Sequence, residues 1–299
     1  MTKYSQPYRG RFAPSPTGPL HFGSLFTALG SYLQAKNKKG KWLVRIEDLD
    51  PPREIKGAAE SILYTLENYG LHWDEDVVYQ SQRYELYEDA LTQLKNNSLL
   101  FNCTCSRKRI KESAEVGPIG FIYPGTCRDK HNAKTPCATR IKSDNVYISL
   151  SDLLQGDMSQ NISLEIGDVT LKRADNLYAY HLAVVIDDYH QGITEIVRGY
   201  DLYECTPTHI FLQQKLNYPT PRYLHLPILV NEQHKKLSKQ TKAPAISNND
   251  IEQNLVTLLT YLNQNPPEDL RYESKEYILN WAIQHWNHRN ISGKTIEIS

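Results

Sequence analysis

Two hydrophobic periodicities alternate along this chain. After Leu20, apolar and small residues recur at helical spacing (Leu25, Ala28, Leu29, Leu33), whereas WLVRI, ending at Ile46, is a short apolar run bounded by Gly40 and the pair Pro51 and Pro52. The first pattern predicts a helix and the second a buried strand. Ahead of the helix stands GRFAPSP, a short strand. Pro14 and Pro16 force extended backbone and end its ladder, and Thr17 and Gly18 supply the turn. A helix is predicted from about 54 to 69 on apolar Ile55, Ala58, Ala59, Ile62, Leu63 and Leu66, and another over 82–94. This βαβα order argues for an α/β fold with a parallel sheet.

From about Phe101 the texture changes to cysteines, the basic cluster RKRIK and short β-like pieces, VYISL and ISLEI. A buried-strand pattern returns at LYAYHLAVVIDDY and ITEIVRGYDL, followed by a helix near 206–216 and a strand around HLPILV. After HKKLSKQTKA the tail reads as helical in NLVTLLTYL and YILNWAIQHW. The expected organisation is therefore a first half of a catalytic domain at 1–100, an insertion at 101–175, a second half at 176–245 carrying KLSKQ, and a helical C-terminal region at 246–299.

Composition narrows the picture little. With 299 residues, 40% hydrophobic and 23% charged, the chain is long enough for a sizeable core and is neither disordered nor fibrous. Lys plus Arg balances Asp plus Glu at 34 each, so bulk charge neither indicates nor forbids a nucleic-acid partner. The N-terminus MTKYSQPYRGRF has no apolar signal region and no long apolar run follows, so a cytoplasmic protein without a membrane partner is expected. Of five cysteines, Cys103, Cys105 and Cys127 crowd together; in a reducing compartment that favours a metal over disulfides.

The candidate chemistry sits in the first loop and near the end. Ser15, Thr17, Gly18, His21 and Gly23 lie between strand and helix, where glycines admit an anion and a helix N-terminus offers N–H groups. The plainer alternative is a proline-stopped strand leading to a core helix. KKLSKQ adds lysines that could reach a polyphosphate, although a charge run is commonly only a solvated face.

RFAPSPTGPLHFGSLFTAL, LVRIEDLDPPRE, LAVVIDD, EIVRGYDL and KKLSKQ, in this order, resemble the catalytic half of class I glutamyl-tRNA synthetases, with HFGS and KLSKQ as the HIGH and KMSKS signatures. The resemblance covers roughly residues 8 to 245. It is closer still to their short paralogues, the glutamyl-Q tRNA(Asp) synthetases, through SLFTALGSYLQAK, RIEDLDPPRE, CTCSR with YPGTCR, and KLSKQ followed by AP. It implies a Rossmann-like catalytic domain with an inserted zinc-containing subdomain, a short helical C-terminal region and no anticodon-binding domain. It implies a monomeric ligase that forms glutamyl-adenylate from L-glutamate and ATP, with Mg2+, and transfers glutamate to queuosine in the anticodon of tRNA(Asp).

Carried over by residue, the resemblance gives Arg11, Arg198 and Tyr180 the glutamate side-chain carboxylate, Glu47 the α-ammonium group and Ser15 a further contact to the amino acid. His21, Gly23, Lys236, Ser238 and Lys239 would hold ATP, with Lys239 and His21 the catalytic pair. Cys103, Cys105, Tyr123 and Cys127 would bind one structural zinc ion; from chemistry alone His131 or Cys137 would be the better fourth ligand. Glu47 and Arg45 could instead be a simple ion pair, and Tyr180 a core tyrosine. Ser24 and Phe26 depart from the full-length synthetases' pattern. Two other functions stay open: a minimal glutamyl-tRNA synthetase charging an acceptor stem, and a catalytically retired RNA-binding paralogue.

Overall fold

Short apolar runs separated by amphipathic stretches fold here as parallel strands joined by helices, because a parallel pair needs a long crossover between its strands. The computed structural model describes residues 7–130, 136–234, 236, 246 and 249–298. It begins with β1 (Arg9–Phe12), α1 (Phe22–Asn37), β2 (Lys41–Ile46), α2 (Ala58–Asn68) and β3 (Val78–Tyr79). β2 pairs in parallel with β1 on one side and β3 on the other, with Arg11 opposite Leu43. α3 (Tyr84–Asn96) follows.

The next elements are β4 (Leu100–Cys103), α4 (Arg107–Ser113), β5 (Val116–Gly117), β6 (Gly120–Phe121), β7 (Ala138–Ile141), β8 (Tyr147–Asp152), β9 (Gly156–Asn161) and β10 (Thr170–Lys172). Their strand pairs are all antiparallel: a sheet in the order β10-β7-β4 and the ladders β5-β6 and β8-β9. Parallel pairing then resumes. α5 (Tyr180–His190), β11 (Glu195–Gly199), α6 (Thr206–Leu216) and β12 (Arg222–Leu226) precede β13 (Ile228–Val230), α7 (Ile251–Tyr261), α8 (Lys275–His285) and β14 (Thr295–Glu297). β11 pairs in parallel with β12, and β13 with β14.

β1 and β11 meet at a seam, where the Thr194 N–H donates to the Arg9 carbonyl at 2.9 Å. Strand order runs outward from this seam in both directions, and such a switch point leaves a crevice beyond the carboxyl ends of the strands. Arg11 and Arg198 lie on the two strands that border it.

Two expected elements differ. LYAYHLAVVIDDY reads as a strand but forms α5, with Leu182 through Asp188 all buried. A helix enclosed on every side loses its polar face, so its apolar run mimics a central strand, and only its length separates the two. ISLEI, read as β-like, is a single wide helical turn, Ile162–Ile166. β14 is unexpected, its alternation being confined to Ile296 and Ile298. The tail helices are as expected and share one core with α1, through Leu255, Leu258, Ile278 and Ala282 beside Leu29 and Leu33. Among the described residues no helix is long and apolar enough to cross a membrane.

Candidate active site

The proline brake after β1 has a structural use. The extended backbone turns the Pro14 carbonyl to the Glu47 N–H and the Pro16 carbonyl to the Ile55 N–H, both at 3.0 Å. The first loop is thereby tied to the end of β2. Gly18 carries a positive φ of 133°, a conformation that leaves little room for a side chain. His21 then caps α1: its Nδ1 accepts the Ser24 N–H at 3.3 Å, which leaves the ring proton on Nε2.

Arg11, Ser15, His21, Gly23, Glu47, Tyr180, Arg198 and Lys236 all line one cavity of about 730 Å³. Ser238 and Lys239 lie outside the described residues, as does His131. Lys236 Nζ donates to Asp201 at 2.5 Å at the exposed rim.

One wall, built by β1, β2 and α5, is a lattice of ion pairs. Arg11 donates from Nε and Nη2 to Asp188 at 2.9 and 3.3 Å, leaving Nη1 outside that pair. Arg45, fully buried, donates to Asp188 at 2.8 Å and to Glu47 at 3.2 Å. Asp187 accepts from Gln80, Arg83 and Tyr87. Burial pushes the Asp188 carboxyl up, but the two guanidiniums outweigh it and hold it below the usual range. For Glu47 burial prevails over Arg45 and Arg11, and its carboxyl stays raised. The Arg45–Glu47 ion pair is thus real, and Glu47 faces the cavity all the same.

The opposite wall, from β11, β12 and α6, buries Arg198 among neutral acceptors. Its Nε donates to His225 Nε2 at 3.0 Å and its Nη2 to Thr206 Oγ1 at 2.7 Å and the Leu202 carbonyl at 3.1 Å. Its Nη1 meets the Tyr180 hydroxyl at 3.3 Å and His209 Nδ1 at 3.2 Å. Among the described residues no carboxylate pairs with Arg198, which is only 4% exposed. Burial, with Arg198 nearby, lowers His209 well below the usual histidine range and His181 to about 4. His225 also falls to about 4, since burial outweighs the opposing hydrogen bond to Asp152. A buried guanidinium with no counter-ion is costly and awaits an anion. Tyr180 lines the cavity and also packs against the core.

A second cluster lies in the antiparallel region. Cys105 Sγ and Cys127 Sγ are 3.6 Å apart, and Tyr123 Oη lies 3.3 Å from Cys103 Sγ and 3.7 Å from Cys105 Sγ. Tetrahedral zinc with Zn–S near 2.3 Å implies ligand separations of about 3.8 Å, so three thiols and one phenol fit such an ion. The Arg140 guanidinium stacks 4.1 Å over the Tyr123 ring. Cys137 is outside the group of three cysteines.

The sequence profile described as tRNA synthetases class I (E and Q), catalytic domain, matches residues 8–263. The chain belongs to that family. Glutamyl-Q tRNA(Asp) synthetases of Neisseria meningitidis serogroup C and Cronobacter sakazakii are 51% and 48% identical to it, each across 94% of this chain and across 96% and 93% of their own lengths. This identity puts the chain among the glutamyl-Q tRNA(Asp) synthetases of the class I ligases. A glutamate tRNA ligase from Elizabethkingia meningosepticum, solved with its amino acid, shares the fold at a TM-score of 0.81. It is 23% identical, over 98% of this chain and 67% of the other. ATP, an amino acid and tRNA are the substrates of a class I synthetase.

Sequence reasoning missed Asp188, Asp152, His209 and His225. The adjacent acids closing LAVVIDD signalled the first, since two carboxylates at the end of an apolar run must find cations. The others carried no local sign: Asp152 meets His225 across 73 positions of sequence.

Proposed function

We propose that this chain activates L-glutamate with ATP to glutamyl-adenylate and transfers the glutamyl group to queuosine in the anticodon of tRNA(Asp). The observation that carries the reading is the polarity of the cavity, which presents the Glu47 carboxylate from one wall and the unpaired Arg198 guanidinium from the other. Glutamate is complementary to that pair. Its α-ammonium group would meet Glu47, with Ser15 nearby, and its side-chain carboxylate would meet Arg198, the Tyr180 hydroxyl and the remaining N–H groups of Arg11. The α-carboxylate oxygen then attacks the α-phosphorus of ATP in line, and the bond to pyrophosphate breaks. His21, the Gly23 backbone, Lys236, Ser238 and Lys239 would hold the phosphates with Mg2+, Lys239 and His21 stabilising the charge that develops there.

Residues 101–175 form, in this reading, an insertion between catalytic halves at 1–100 and 176–245, ahead of the helical region 246–299. Cys103, Cys105, Tyr123 and Cys127 would hold one zinc ion in the insertion, closing its loops without a part in the chemistry. Metal analysis of protein purified without added metal should give about one zinc per chain; metal that persists in Tyr123→Phe but vanishes in Cys137→Ser would reassign the fourth ligand.

The acceptor is tested with radiolabelled glutamate, ATP and tRNA(Asp) bearing either queuosine or guanosine. Label should enter only the queuosine form, and a short anticodon hairpin carrying queuosine should accept it nearly as well. Efficient labelling of tRNA(Glu) at its terminal ribose would replace this reading with acceptor-stem charging. Absence of glutamate-dependent ATP–pyrophosphate exchange would point to a retired paralogue.

A further inference from the structure

Arg198 is held in place by a chain of contacts that begins outside the catalytic sheet. Asp152 closes β8 and reaches β12, where its Oδ2 meets His225 Nδ1 at 2.6 Å. Both side chains are fully buried. The other oxygen, Oδ1, accepts three backbone N–H groups, from Leu154 at 3.0 Å, Gln155 at 2.9 Å and His225 at 3.3 Å. A carboxylate can only accept, so the ring proton of His225 sits on Nδ1. Nε2 then carries the lone pair that receives the Arg198 Nε–H at 3.0 Å. Arg198 Nη2 is fixed from the same side through the Thr206 hydroxyl.

We propose that Asp152 and His225 are positioning residues for amino-acid recognition. Asp152 sets the tautomer of His225, and His225 aims the Arg198 guanidinium while leaving it without a counter-ion. Separation is the point of the arrangement. A carboxylate bonded directly to Arg198 would neutralise it, whereas one set behind an imidazole orients the arginine and leaves its charge to the substrate. The inference rests on the reading of Arg198 as the arginine that binds the glutamate side chain.

Asp152→Asn isolates the effect, because the two oxygens of Asp152 are not equivalent. Three backbone donors keep the amide oxygen at the Oδ1 position, so the amide NH2 must face His225 Nδ1. The ring proton is driven to Nε2, where it opposes the Arg198 N–H, and two donors confront each other. In ATP–pyrophosphate exchange the KM for glutamate should rise on the order of 10- to 100-fold, the effect of losing a hydrogen bond to a charged group. The KM for ATP and kcat should stay within about twofold.

The direct readout is 15N NMR of histidine-labelled protein. His225 should be protonated at Nδ1 in the wild type and at Nε2 in Asp152→Asn. A wild-type His225 protonated at Nε2 overturns the proposal without any variant, even if Asp152→Asn fails to fold. An unchanged glutamate KM in folded Asp152→Asn also overturns it, provided Arg198→Met raises that KM. If Arg198→Met leaves the glutamate KM unchanged, the reading beneath the proposal falls, and the proposal with it.

Discussion

The two walls of the cavity bury an arginine in opposite ways. Arg11 shares Asp188 with Arg45 inside a lattice of six charged side chains, with Asp187, Glu47 and Arg83 completing it. Arg198 donates only to neutral acceptors: His225, Tyr180, His209, the Leu202 carbonyl, Thr206 and, at 4.0 Å, Cys205 Sγ. The first wall is electrostatically finished before any substrate arrives, and its pairs fix the relative positions of β1, β2 and α5. The second is finished in geometry but not in charge. Internal pairing and unbalanced charge thus fall differently on two residues of the same type, and exposure does not distinguish them, since Arg11 and Arg198 are 3% and 4% exposed.

The division is tested most sharply by replacing each arginine with methionine, which keeps much of the volume. In Arg198→Met the bound carboxylate would be left uncompensated in a buried site, a loss of about 3–5 kcal/mol in glutamate activation, or roughly 150- to 5,000-fold in kcat/KM. The melting temperature should hold or rise, because an unpaired buried cation has been removed. A fall in stability comparable to that of Arg11→Met would show that the second wall relies on Arg198 structurally.

Arg11→Met should lower stability as well as glutamate activation, because Arg11 both pairs with Asp188 and lines the cavity. Asp188 loses one of two cations and is left with Arg45, so stability should drop by about 3 kcal/mol, the lower end for a broken buried pair. Urea denaturation measures it. Pairing the change with Asp188→Asn should recover part of the loss, since Arg45 keeps Glu47 and no lone carboxylate remains. A double variant as unstable as the sum of the singles would mean that Asp188 serves something other than Arg11.

The same contrast explains how far the sequence could be read. The first wall is announced locally: RIED, APSP and VIDD place their charged residues or proline stops at the ends of predicted elements, where a buried ion must be explained. Arg198 stands out for the same reason, an arginine closing the apolar run EIV. Its surroundings do not. His209 lies on a helix whose residues are buried on nearly every side, His225 stands between leucines in a buried strand, and Asp152 ends the first strand of a hairpin in the antiparallel region. Each looks like an ordinary buried or turn polar residue until the fold brings them together. The α5 segment was misread because enclosure erased its polar face, and the tyrosine of the cysteine cluster came from resemblance, since phenol is chemically the least expected of the four ligands.

The smallest expected effect separates the walls by pH. His181 and His225 are held near 4, and His209 well below the ordinary histidine value of about 6.5. Between those limits the unfolded chain takes up protons that the folded second wall refuses. The unfolded state then binds more protons, so stability falls as pH drops from 6.5 toward 4. Each such histidine contributes at most about 1.4 kcal/mol per pH unit. Asp152 and Asp188, held below the usual carboxylate range, lose their contribution only at more acid pH. Glu47 on the first wall runs the other way: its raised carboxyl takes a proton in the fold before it does in the unfolded chain, which favours folding as pH falls through that window. His181→Gln keeps an acceptor for the His209 N–H and removes one titrating group. Its melting temperature, followed from pH 6.5 to 4.5, should decline less steeply than that of the wild type by one histidine's share. Parallel curves would mean that His181 is protonated alike in both states, and that the acid sensitivity of this wall does not lie in its buried histidine pair.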